Sequence, residues 1–131
     1  MADHQTVHRA RQNGQRAVVH GAPINVDQVI DLLVASAEPS RHPAVRTNAN
    51  RLIGILAQGP WCVTAGPHPG GFGGGGRGPD GTTHITLRAG NRGYHLRQDA
   101  RGHLFEITGP GLQDIQPSRA PGSPPGQLGR R

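Results

Sequence analysis

Apolar positions recur along this chain with two different periods, and the change of period divides it. Val26, Val29, Ile30, Leu33, Val34 and Ala37 fall at i, i+3, i+4 spacing, which predicts a helix with one buried face. Asn25 is a fitting N-cap, Asp27 in the first turn complements the helix dipole, and Pro39 stops the helix. Pro43 suits the first position of a second helix, whose inner face is Val45, Ala49, Leu52, Ile53 and Leu56. Gly59-Pro60 ends it. The short connection between the two predicts a hairpin of helices.

Beyond Pro60 the period falls to two. Trp61–Thr64 reads as a strand, and Thr83–Ala89, Gly93–Gln98 and His103–Thr108 read as three more. Residues 89–92 and 99–102 carry turn chemistry, which predicts an antiparallel meander. With four-residue loops, Leu87 faces Tyr94, Ile85 faces Leu96, Thr86 faces His95 and His84 faces Arg97. In the second hairpin Leu96 faces Phe105, Tyr94 faces Ile107 and His95 faces Glu106. This register gathers the apolar residues on one face, whereas a one-residue slip would mix the faces. Leu104 is its exception, falling on the polar face beside Arg97.

The apolar sheet face needs a cover, and the two helices are the candidates. The expected fold is therefore α+β: a two-helix hairpin packed on one face of a three- to five-stranded antiparallel sheet, with disordered termini. Arg16–His20 is a further short-strand candidate, ended by Gly21-Ala22-Pro23. The core is expected over 16–109. Residues 1–15 are polar and read as a disordered, dispensable tail; 110–131 is a Pro/Gly/Arg tail. Residues 66–81 hold nine glycines and three prolines, which predicts a loop.

Charge changes the picture next. The chain carries a net charge of +6, and every cationic side chain apart from histidine is Arg. Segment by segment the net charge is +2 over 1–24, 0 over 25–60, +2 over 61–110 and +2 over 111–131. The excess thus avoids the helical region. An all-Arg surface suits phosphate, which the planar guanidinium grips with a fork of donors. GC-rich coding would produce the same bias. The single Cys62 permits no intrachain disulfide, no apolar run reaches membrane-spanning length, and the polar N-terminus is not a signal sequence. A cytoplasmic location without a membrane partner is the expectation.

The polar face of the meander carries the candidate chemistry. RNA cleavage needs a base for the 2′-hydroxyl, an acid for the leaving 5′-oxygen, and a cation for the charge that builds on phosphate. Glu106 or His84 is placed to be the base, His95 the acid, and Arg97 with Arg88 the phosphate clamp. Arg77, with His68 and Phe72, lies on the glycine-rich loop as a further phosphate contact. The G-x-G-x-x-G match at Gly71, Gly73 and Gly76 precedes a strand rather than a helix, so it is no dinucleotide fingerprint. No metal-ligand spacing occurs, and no cofactor is expected. The layout over about residues 16–109 resembles small microbial ribonucleases and ribosome-dependent RNase toxins in architecture, without a motif to carry over. That resemblance implies an RNA substrate and, for a toxin, a small acidic protein antidote. The alternative is a non-catalytic nucleic-acid- or protein-binding module, such as a mobile-element accessory or adaptor protein.

Overall fold

The computed structural model describes residues 3–69 and 82–113. Among these residues, three helices pack on one face of a five-stranded sheet. The elements run α1 (His4–Asn13), β1 (Gly14–Gln15), α2 (Val26–Ser36), α3 (Pro43–Leu56), β2 (Trp61–Pro69), β3 (Thr83–Ala89), β4 (Arg92–Gln98) and β5 (Leu104–Thr108). Spatial order follows chain order, β1 to β5. Every pairing is antiparallel except that of β1, which runs parallel to β2. The α+β class is thus as expected, with one more helix and one parallel edge piece.

The predicted helices form for the reasons their sequences give. Asn25 and Gln28 cap each other's backbone N–H groups at the start of α2, and Pro43 opens α3. Val29, Ile30, Leu33, Val45, Ala49, Leu52, Ile53 and Leu56 are all buried against Ile85, Leu87, Tyr94, Leu96 and Ile107 of the sheet. Val34 departs from its stripe and is 39% exposed, in a groove it shares with Val7 and Ile53.

Residues 4–13 overturn the expectation of a disordered tail. Asp3 caps α1 by accepting the Thr6 N–H at 2.7 Å, and that bond holds the Asp3 carboxyl below the usual carboxylate range. The helix has few apolar residues, so its docking relies on polar fasteners. The Trp61 indole N–H donates to the Ala10 carbonyl at 2.7 Å within the core. Asn13 donates to the Leu56 carbonyl, and Arg11 bridges Asp27 and Asp31 of α2. Ala10 is small enough to be fully buried at the contact.

The strand expected over 16–20 is displaced. The chain pairs with β2 at Gly14–Gln15, leaves it, and touches it again at an isolated bridge between His20 and Ala65. Gly66 permits that second approach: a Cβ there would lie 1.8 Å from the Ala22 carbonyl oxygen. Residues 66–69, expected in the glycine-rich loop, therefore extend β2, with two irregularities in its pairing to β3. The remainder of that loop and the C-terminal tail from 114 lie outside the described residues. Within the expected tail, Gln113 is held to α3 through Asn48.

In the first hairpin the observed register is the expected one, with one further pair, Ala89 with Arg92, that shortens the turn to Gly90-Asn91. The second hairpin is displaced by two residues. Leu96 pairs with Ile107, and His95 with Thr108. A five-residue loop over 99–103 accounts for half of this. The Asp99 side chain organises it by accepting the N–H groups of Arg101 and His103. A bulge at Phe105, between the Arg97–Glu106 and Gln98–Leu104 pairs, accounts for the rest. The bulge also removes the Leu104 exception, since Leu104 now turns inward and is buried.

Candidate functional site on the open sheet face

The helices cover one face of the sheet, and alternation sends the other set of side chains to the opposite face. His84, Thr86 and Arg88 of β3, His95 and Arg97 of β4, and Glu106 and Thr108 of β5 share that face through the observed register. The four residues expected to be catalytic are thus brought together. Their partners differ from those expected.

His95 was expected beside Glu106. The displaced register gives it Thr108 instead, whose hydroxyl donates to the His95 carbonyl at 3.4 Å. Its imidazole meets His84. Nδ1 of His84 and Nε2 of His95 are 2.6 Å apart, and the two rings stack with centroids 4.6 Å apart. The pair is diagonal in the ladder, since His84 is registered with Arg97 and His95 with Thr86. Sheet twist brings one diagonal of each such quartet closer than the other, which the flat register did not weigh.

Glu106 instead engages Arg97, whose Nη1 donates to Oε1 at 2.5 Å. Both side chains are largely sheltered, at 27% and 18% exposure. The Arg97 guanidinium also lies over the Phe105 ring, 4.9 Å from its centroid. The bulge therefore places an aromatic ring beneath the cation and a carboxylate beside it, fixing the plane of its donor fork. Arg88 is exposed, and its Nε donates to the Gly90 carbonyl at 3.1 Å. Arg77 and Phe72 lie outside the described residues. His68 occupies the β2 position registered with His84.

This arrangement suits proton transfer. An N–H···N bond between imidazoles requires one ring to donate and the other to accept, so a singly protonated pair holds an acid and a base together. The adjacent guanidinium offers a charge for an anion. Among the described residues, no three of His, Cys, Asp and Glu are grouped so as to hold a metal ion, and no helix is long and apolar enough to cross a membrane.

No protein-family model, no curated protein and no solved structure matches this chain.

Proposed function

We propose that the protein acts on RNA through the open face of its sheet, as a metal-independent ribonuclease of toxin type. The His84–His95 contact beside the oriented Arg97 carries this reading. The two histidines are rooted at diagonal positions about 7 Å apart, so their rings can part to flank a phosphodiester. The neutral imidazole then takes the 2′-hydroxyl proton as O2′ bonds to phosphorus. The P–O5′ bond breaks, and the imidazolium delivers its proton to O5′. Arg97 meets the charge on the phosphoryl oxygens. Glu106, ion-paired with Arg97, serves as its positioning group rather than as the base.

The test is cleavage of end-labelled RNA in the presence of a chelator. His84→Ala and His95→Ala should each lower the rate by about 10²-fold or more, the usual size for loss of an acid–base group. Arg97→Ala should cost a similar factor and Glu106→Gln less. The products should end in a 2′,3′-cyclic phosphate, and DNA should survive. Wild-type rates in folded His84→Ala and His95→Ala would end the catalytic reading. Binding of RNA without cleavage by the wild type would leave a nucleic-acid-binding module.

A further inference from the structure

At one end of the sheet, where α3 leads into β2 and β3 turns into β4, lies a cavity of about 600 Å3. Its polar lining comes from Gln15, Gln58, Cys62, Arg88, Asn91 and Arg92, and no carboxylate lines it. The two arginines differ from those that build the fold. Arg11 is bound by Asp27 and Asp31, and Arg97 by Glu106. Among the described residues neither Arg88 nor Arg92 has a carboxylate partner. Arg88 uses only its Nε on the protein, which leaves both terminal amino groups of its fork for a ligand. Two uncompensated guanidiniums ringed by carboxamides match a phosphate group.

Resting on the reading of the open face as an RNA site, we propose that this cavity is a second phosphate subsite, holding a further phosphate of the strand whose scissile phosphate lies between the histidines. The register supplies the spacing. Arg88 pairs with Gly93, and Thr86 pairs with His95. Arg88 therefore stands two residues along the strand from the row of His95, about 7 Å away, and four from His84, about 13 Å away, on the same face. A nucleic-acid strand lying along β3 passes both the histidine pair and Arg88.

Cys62 provides a readout independent of cleavage. It is the chain's single cysteine, lines the cavity, is partly exposed, and is registered opposite Arg88. Its alkylation by iodoacetamide reports occupancy of this cavity. The probes are inorganic phosphate, adenosine, and a deoxyribose trinucleotide, which lacks the 2′-hydroxyl that cleavage needs. At about ten times its Kd, a ligand fills about nine tenths of the sites and should slow alkylation about tenfold. The trinucleotide should protect at lower concentration than phosphate, and adenosine should not protect. Protection should vanish in Arg88→Gln/Arg92→Gln, whose exposed positions leave the fold intact by circular dichroism. Unchanged alkylation with the trinucleotide, full protection in the double variant, or equal potency of phosphate and trinucleotide would each overturn the subsite. Protection without RNA cleavage keeps the subsite and ends the ribonuclease reading; cleavage without protection does the reverse.

Discussion

Asn48 is fully buried in α3, and both ends of its amide are used. Its Nδ2 donates to the carbonyls of Ile107 and Gln113 at 2.9 Å, and its Oδ1 accepts the Gln113 N–H at 2.8 Å. One side chain thus ties a helix to the edge strand and to the segment that follows it. Asn48→Leu keeps the branched shape, adds bulk at a buried position, and strands the Ile107 carbonyl in the core. It should cost about 2–4 kcal/mol, read as a lower denaturant midpoint with an unchanged slope. The sequence marks this residue only as a polar side chain within the inner stripe of α3, three after Val45 and four before Leu52. Its partners are backbone groups, which every residue possesses. Asn25 and Pro43 were legible because their roles are local, fixed by the few residues that follow them. The His84–His95 contact lies between these cases: the register places both rings on one face, but only the twist selects that diagonal.

Elements whose burial shows as periodicity were readable, and elements attached by single hydrogen bonds were not. The inner faces of α2 and α3 and the first hairpin follow from Ile30, Leu33, Leu52, Ile85, Leu87, Tyr94 and Leu96. The α1 helix escaped because Val7 and Ala10 make too small a stripe, while its anchors are Trp61, Asn13 and Arg11. The second hairpin shows a different limit. Alternation has period two, so it detects a one-residue slip and is blind to a slip of two. Leu104 was the one misfit, and it marked the bulge. The anchored α1 leads to a definite expectation. Removing residues 1–13 leaves the Trp61 indole N–H without its acceptor, a loss of about 1–3 kcal/mol before any packing is counted. The melting temperature should fall by at least about 4–8 °C. Arg11→Ala, by contrast, removes only exposed ion pairs and should cost under about 1 kcal/mol. A trimmed chain that melts like the full one would show that α1 does not pack in solution.

For the whole molecule, the described residues of β2 to β5 and their turns carry four arginines, Arg88, Arg92, Arg97 and Arg101, against Asp99 and Glu106. Those six residues give the strand-rich half a positive surplus. Counterion release then sets how RNA affinity responds to salt. The log–log slope for a single strand should be about −0.7 for each phosphate neutralised, and Arg88→Gln/Arg92→Gln should flatten it by about 1.4. Fluorescence anisotropy with a short RNA at graded salt gives both slopes, and an unaltered slope would remove these arginines from the interface. The bulge at Phe105 has a further effect, on how copies of the protein meet. A sheet with an open polar face and regular borders would be a template for strand addition. Here the β5 border is kinked by the extra residue, and its Ile107 carbonyl is already taken by Asn48. The opposite border offers two paired residues, a gap and a single bridge. Among the described residues neither side presents the long straight ladder that fibril growth requires, so crowding at high concentration should leave this sheet unextended.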